Sequence, residues 1–407
     1  MKNVWILNHY AQEPGGAGGT RHYHLAKSLR AYGWKASIIA ASVEHQSGRQ
    51  RLAVAEKSRL DHYNGIPFLW LRTTEYEGNG AARMRNMLEY SLSVLKPGAL
   101  AALDKPDVII GSSVHPFAAA AGAILGWRHK VPFVFEVRDL WPQTLIDMGR
   151  LRDKSLTARA LRVLEKWLYK RAKRIVVLLP KASEYITPMG IDAEKVVWIP
   201  NGVDLEDFPK PAERPVSEKF TVMYFGAHGP ANGLDNVLKA QKLLETDPAT
   251  AHVSLRIIGN GPCKNDLIAL AEQLGLQKVS FENAVPKREI PGLAAEADAF
   301  VFNLIDAPVF KFGISSNKLF DFMAGARPIL FCCDAGNNPV EDAGAGLTVS
   351  PGNPEALAEA TREVIAMSRE KRLAMGEAGR RYVETQHGFD KLAGSLADCL
   401  NVCCERR

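Results

Sequence analysis

Short β-branched apolar runs alternate with helical patterns along the whole chain. VWILN at 4–8, SIIAA at 37–41, DVIIGS at 107–112, FVFEV at 133–137, IVVLL at 175–179 and VVWIP at 196–200 are the unbroken apolar segments expected of strands buried on both faces. Helical stretches at 20–32 and 155–172 separate them. A second series runs through FTVMYFG at 220–226, VSLRIIG at 253–259, KVSFE at 278–282, AFVFNL at 299–304, RPILFC at 327–332 and GLTVS at 346–350. Helical patterns lie between these near 233–245, 263–274, 289–297, 317–325 and 354–366. Alternation of this kind predicts an α/β architecture of two doubly wound, Rossmann-like domains with parallel sheets. Such domains bind ligands beyond the carboxyl ends of their strands, so the two are expected to face each other across a cleft.

The Pro- and charge-rich segment NGVDLEDFPKPAERPVSEKF at 201–220 reads as the link between them. The expected division is a first domain at 1–204, a linker at 205–218 and a second domain at 219–386. Residues 387–407 then form a terminal helix that packs back on the first domain. A length of 407 residues, 46% of them hydrophobic, exceeds one ordinary core and agrees with two. FAAAAGAILGW at 117–127 is too short to cross a bilayer, which takes about 18 apolar residues or more. The opening MKNVWILN reads as a first buried strand rather than a secretory signal, so the expected location is the cytosol. Cysteines 263, 332, 333, 399, 403 and 404 form no C-x-x-C or Cys/His metal pattern and are expected to be reduced.

Charge changes this picture by dividing it. Residues 1–204 carry 29 Lys and Arg against 18 Asp and Glu, whereas residues 205–407 carry 22 against 27. The basic excess is densest in RLRDKSLTARALRVLEKWLYKRAKR at 150–174, with ten basic and two acidic residues. Its apolar members recur at helical spacing, which gives an amphipathic helix with a basic outer face. Two readings stay open for it, a core-packing helix with a solvated face and a helix attached to anionic lipid. No nucleic-acid-binding module or aromatic interleaving accompanies the basic patch, so nucleic acid is not an expected partner.

Candidate chemistry concentrates in three places. EPGGAGGTRHYHLAKSL follows the first strand, and Gly15 and Gly16 allow close backbone approach to a phosphate or sugar, with Arg21 at the helix start. YFGAHGPANGLDNVLKA holds the same place in the second domain, with Gly226 and with His228 as a possible phosphate donor. RIIGNGP after the next strand reads as a strand-to-helix turn, with Pro262 at a first helical position. FGISSNKLFDFMAGARPI at 312–329 opens a helix with Ser315, Ser316, Asn317 and Lys318, where unpaired amides and the helix dipole suit a phosphate. Asp321 follows at i+3 from Lys318, about 5–6 Å along the same face. A plain capped helix with a Lys/Asp pair is the alternative.

IPNGVDLEDF at 199–208, RIIGNGP, VPKREIPGLAAEAD at 285–298, NKLFDFMAGARPIL and GAGLTVSPGNPEALAEA together resemble family 4 retaining glycosyltransferases of the GT-B fold. HYAQEPGGAGGTRHYHLAKSL, SSVHPF at 112–117 and FEVRDLWPQTLIDMG at 135–149 resemble the O-antigen and capsule branch, including bacterial N-acetyl-L-fucosaminyl transferases. The resemblance implies a metal-independent enzyme that moves a sugar, an N-acetylated deoxyhexose, from a UDP-linked donor to a polyprenyl-diphosphate-linked saccharide. The nucleotide sugar is then a substrate, and no cofactor is implied. It further implies peripheral association of the basic domain with the inner face of the plasma membrane. By motif position Asp321 would bind ribose, Ser315, Ser316, Asn317 and Lys318 the diphosphate, and the loop from Val285 to Ile290 the base. Gly15, Gly16, Gly226 and His228 would complete the donor site. Arg21 and His22 would meet the acceptor, and His115, Arg138 and Asp139 are the candidates for orienting the reacting groups. Two positions depart from the family pattern. Gly313 stands where a Glu usually contacts the sugar, and AHGPANG at 227–233 lacks the usual Arg and Lys. Two rival classes stay open, a GT-B-fold sugar-nucleotide epimerase and a non-catalytic nucleotide-sugar-binding protein.

Overall fold

The structure, a computed structural model, describes every residue except 17–18, 45–47, 77, 79, 114, 212–218 and 406–407. The chain divides into two compact units, residues 1–200 with 389–407, and residues 201–388.

The first unit is built on eight strands: β1 (Lys2–Leu7), β2 (Trp34–Ala41), β3 (Ser58–Tyr63), β4 (Ile66–Leu71), β5 (Val108–Ser112), β6 (Phe133–Val137), β7 (Arg174–Val177) and β8 (Val196–Trp198). They are ordered β3-β4-β2-β1-β5-β6-β7-β8. All pairings are parallel except β3 with β4, an antiparallel hairpin. Apolar-run reading passes over this hairpin because β3, SRLDHY, is polar and partly exposed. Its turn was nevertheless legible: Asn64 at φ 49° and Gly65 at φ 74° form the Asn-Gly pair that joins two-residue hairpins. Strand β4, IPFLWL, is buried at all six positions.

The Phe389–Cys404 helix completes this unit. Phe389, Leu392, Leu396 and Leu400 lie in the same core as Val4, Ile6 and Trp34. Ser28 Oγ donates to Asp390 Oδ1 at 2.6 Å, tying that helix to the Arg21–Leu29 helix.

The second unit has six strands, all parallel: β9 (Phe220–Phe225), β10 (Val253–Ile258), β11 (Val279–Glu282), β12 (Ala299–Asn303), β13 (Ile329–Cys332) and β14 (Gly346–Val349). Their order, β11-β10-β9-β12-β13-β14, has helices in the crossovers. The central strands are apolar on both faces, and Phe225, Phe300 and Phe322 pack ring against ring.

Much of the expected linker is part of this unit instead. Val203 bridges to Gly388 in parallel, and its N–H donates to His387 O at 3.0 Å. Phe208 is buried in the second core, and its carbonyl accepts from Arg380 Nη1 at 2.6 Å. An aromatic that packs this way makes 201–208 a structural edge, and residues 212–218 of the expected linker lie outside the described ones. The division between units accordingly falls after Pro200.

Candidate active site

In the second unit, loops after β9, β10 and β12 converge on the start of the Asn317–Ala324 helix. The loop after β9 is held by its neighbours' backbone. Gly226 N–H donates to Ile258 O, His228 N–H to Asn260 O and Cys263 N–H to His228 O, at 2.9–3.0 Å. A Cβ on Gly259 would lie 1.9 Å from Gly226 O, and one on Gly261 would lie 2.5 Å from His228 O. The GNG turn is therefore glycine because another loop packs on it. Pro262 lies two residues before the Lys264–Gln273 helix, ahead of its N-cap Cys263 rather than at its first helical position. From the far side, Asn303 at the end of β12 donates through Nδ2 to Asn232 O and Gly233 O at 2.8 and 2.9 Å.

Into this braced loop reaches Lys318. Its Nζ donates to Tyr224 Oη at 2.9 Å and to Asn232 Oδ1, and stands 4.7 Å from the Tyr224 ring centroid and 5.2 Å from that of Phe302. Tyr224 Oη in turn donates to Ala227 O at 2.7 Å. Burial among these rings pushes the Lys318 amine down to about 7. Beside it His228 is fully buried, and neither ring nitrogen has a hydrogen-bond partner among the described residues. Burial, with the charges of Lys264 and Lys318 adding, pushes His228 down to about 4, so the ring is neutral near neutral pH and carries one N–H donor. Two nitrogen donors thus lie near each other, and among the described residues no carboxylate is bonded to either. Donors in this arrangement have the chemistry to meet an anion.

The helix start itself is open. Ser316 is the N-cap in an extended conformation, its side chain bonds no helix amide, and no acidic residue occupies the first turn. Ser315 is more committed than the motif suggested. Its Oγ accepts from Asn201 N–H at 2.8 Å and its carbonyl from Asn201 Nδ2 at 2.5 Å, so it fastens this helix start to residue 201. Asp321, 8% exposed, faces a different loop from Lys318: Lys287 Nζ, just past β11, lies 3.6 Å from its Oδ1. The segment from Val285 to Ile290 thereby meets the Asp321 carboxylate. Lys287 was missed in the sequence because only its place in the Lys287–Glu289 turn brings it there. Gly313 has φ 103°, a conformation that side chains other than glycine rarely adopt, so a Glu at 313 would not simply fit this backbone.

The first unit treats its charges differently. Arg21 and His22, expected to meet an acceptor, are 2% and 1% exposed. Arg21 Nε donates to Glu136 Oε1 at 3.0 Å, and its terminal nitrogens bond Pro200 O and Ile199 O. Asn8 Nδ2 donates to His22 Nδ1 at 2.8 Å, which leaves His22 Nε2–H to donate to Glu136 Oε2 at 2.7 Å. Burial opposes charge on Glu136, yet His22 and Arg21 outweigh it and hold that carboxyl well below the usual range. Both basic residues are spent on the fold.

His115 is corrected in the same way. It is fully buried, caps the Pro116–His129 helix by accepting from Ala118 N–H at 3.3 Å, and so donates Nε2–H to His9 Nδ1 at 3.0 Å. Burial, with Arg83 adding, pushes it down to about 3, too low for a useful base near neutral pH. Arg138 and Asp139 follow β6 directly; Asp139 is exposed and Arg138 half-buried. Gly15 has φ 85° with open space around it, while a Cβ on Gly16 would meet Gln12 Oε1 at 2.5 Å.

Residues 16–202 match the glycosyl transferase 4-like domain family, and residues 206–382 match the glycosyl transferases group 1 family. The chain belongs to the GT-B glycosyltransferases. A probable glycosyltransferase WbjE of Pseudomonas aeruginosa is 26% identical over 270 residues, 63% of this chain and 66% of that one. A GDP-mannose-dependent alpha-(1-6)-phosphatidylinositol monomannoside mannosyltransferase of Mycobacterium tuberculosis is 30% identical over 219 residues, 51% of this chain. The match spans 56% of the length of that mannosyltransferase. The structure of Anabaena HepE in complex with UDP and glucose superposes with a TM-score of 0.68 at 16% identity, covering 99% of this chain and all of that one. For a GT-B glycosyltransferase, the nucleotide sugar is a substrate and no separate cofactor is called for.

Proposed function

We propose that this chain is a retaining, metal-independent glycosyltransferase. In this reading it moves a sugar, an N-acetylated deoxyhexose, from a UDP-linked donor to a polyprenyl-diphosphate-linked saccharide during bacterial surface polysaccharide synthesis. The observation that carries the donor half is the Lys318–His228 pocket, a desolvated amine and an unpartnered imidazole beside an uncapped helix start. Transfer from a nucleotide sugar leaves negative charge on the departing diphosphate. Lys318, the His228 N–H and the amides from Asn317 onward meet that charge without reorganising. These groups replace the Arg and Lys absent from 227–233. Asp321 takes the ribose hydroxyls in exchange for Lys287, and the segment from Val285 to Ile290 takes the base. Gly15, Gly16 and Gly226 allow the backbone to approach the phosphates and the sugar. Asp139, exposed beyond β6, and Arg138 orient the acceptor hydroxyl, whose proton passes to the leaving phosphate on the same side of the sugar. The net positive first unit works at the cytoplasmic face of the plasma membrane, where a lipid-linked acceptor is held.

A thermal-shift series with UDP, GDP and UDP-sugars, on the natural chain and Asp321→Ala, tests this. UDP should raise the melting temperature of the natural chain more than GDP does, and Asp321→Ala should lose most of that rise with little change when unliganded. Equal ligand shifts in both proteins would remove Asp321 from the site. Sugar transfer to a polyprenyl-diphosphate saccharide should persist in EDTA.

A further inference from the structure

Three helices of the first unit end around one cavity of about 840 Å³, at the amino edge of its parallel strands. Trp127, Arg128 and Lys130 come from the end of the Pro116–His129 helix, Arg171 and Lys173 from the end of the Leu156–Arg171 helix, and Cys403 from the end of the Phe389–Cys404 helix. Four of these six side chains are cationic, and no acidic side chain lines the cavity. Cations at helix ends often serve only to cap carbonyls, but here other groups do that. Lys195 Nζ donates to Ala172 O at 3.1 Å and to Lys170 O at 3.5 Å, closing the second of these helices. The first closes on its own backbone, Lys130 N–H donating to Trp127 O at 3.3 Å and Val131 N–H to Gly126 O at 3.0 Å. Arg128 Nη1 is taken by Leu95 O at 2.7 Å. Lys130, exposed and held at φ 56°, has no ion-pair partner among the described residues, and neither has Arg171 or Lys173.

Cys403 stands where this cavity meets the core. It belongs to the same core as Val4 and Trp34, yet it forms part of the cavity wall. Cys399, one helical turn back, holds its thiol within hydrogen-bond reach of the Cys403 sulfur. That donor, with the charges of Arg174 and Lys173 adding, sets the Cys403 thiol below its ordinary value although burial opposes the thiolate. Burial instead pushes up the thiols of Cys332 and Cys333, and that of Cys404, which is less buried than its neighbour. Position and surrounding charge therefore single out Cys403.

We propose that this cavity takes anionic low-molecular-weight disulfides of the glutathione type, and that Cys403 is the site they modify by S-thiolation. The cations select an anion, and the sulfur in the wall selects a disulfide among anions. Lys130, Arg171 and Lys173 pair with the carboxylates of the ligand, and Cys403 Sγ, as the thiolate, attacks the nearer ligand sulfur. The ligand's S–S bond breaks as a new one forms to Cys403, and the departing thiolate takes up the proton that Cys403 released. Cys403 is oxidised to the disulfide level and one half of the ligand is reduced to a thiol, so no further oxidant is needed. An excess of thiol reverses the step. The exchange is independent of sugar transfer and uses none of the residues assigned to it.

Incubation of the full chain with oxidised glutathione near neutral pH, followed by mass mapping of its peptides, provides the test. The adduct should form on Cys403 at least about tenfold faster than on Cys404 or Cys263, although both are less buried, and dithiothreitol should remove it. A combined Lys130→Gln, Arg171→Gln variant changes only exposed positions and should keep the natural melting temperature. It should react about tenfold more slowly with oxidised glutathione but within about twofold of the natural rate with uncharged hydroxyethyl disulfide. Cys399→Ala should slow both disulfides alike, because it removes a donor to the thiolate and leaves the cations in place. Should that variant fail to fold, the map of the natural chain and the glutamine variant decide by themselves. Modification of Cys404 or Cys263 ahead of Cys403 would overturn the proposal, as would a glutamine variant that keeps the natural ratio of rates for the two disulfides.

Discussion

The loops after β1 and after β9 hold the same topological place in two sheets, and they use basic residues in opposite ways. After β1, Arg21 and His22 close on the buried Glu136, and the terminal nitrogens of Arg21 bond the Pro200 and Ile199 carbonyls of the same unit. In the loop after β9, His228 and the Lys318 side chain that reaches in from the Asn317–Ala324 helix lie among rings, amides and loop carbonyls, and among the described residues no carboxylate is bonded to them. Fold position alone therefore does not make a phosphate site. What separates the two is whether the positive charge is already answered from inside.

Breaking the first network should give the largest effect. Glu136→Ala leaves Arg21 buried without its carboxylate, and removing one partner of a buried ion pair costs about 3–5 kcal/mol. Urea unfolding should show this as a lower midpoint with an unchanged slope; a loss below about 1 kcal/mol would mean the network is not holding the loop. Lys318→Met should act on the ligand instead. It removes a charge-assisted contact worth about 1.5–3 kcal/mol, so UDP affinity should fall roughly 10- to 100-fold. The same change takes a desolvated amine out of an aromatic pocket, and unliganded stability should stay near the natural value. If Lys318→Met were severely unfolded and bound UDP normally when refolded, the contrast between the two loops would be lost.

Much of the architecture was legible from the chain because parallel strands buried on both faces leave unbroken apolar runs, as in IIAA of β2 and FVFN of β12. The β3–β4 hairpin escaped that reading, since β3 is half-polar and only Asn64-Gly65 signalled the turn. Residues 201–208 looked like a linker by composition, but a single buried aromatic, Phe208, decides otherwise. In the site, the SSNK motif located a helix start, yet it could not say that Ser315 would be taken by Asn201 or that Lys318 would turn toward Tyr224. Arg21 and His22 misled because their partner Glu136 lies 115 and 114 residues away in sequence. Long-range pairing of this kind leaves no local pattern.

The central claim is that Lys318, brought down to about 7 by burial, is the charge that a donor diphosphate restores. A bound diphosphate favours the ammonium form and raises the Lys318 value, so binding takes up a proton above about pH 7. Below that value the amine is charged in both free and bound protein, and affinity is at its plateau. Above it the free protein loses the proton first, and affinity falls by up to about tenfold per unit until the complex also deprotonates. Calorimetric titration of the natural chain with UDP between about pH 6.5 and 9, in buffers of different ionisation enthalpy, measures this directly. The account predicts falling affinity with proton uptake across the upper part of that range. Affinity that stays level while UDP binds, with no proton exchanged, would contradict it.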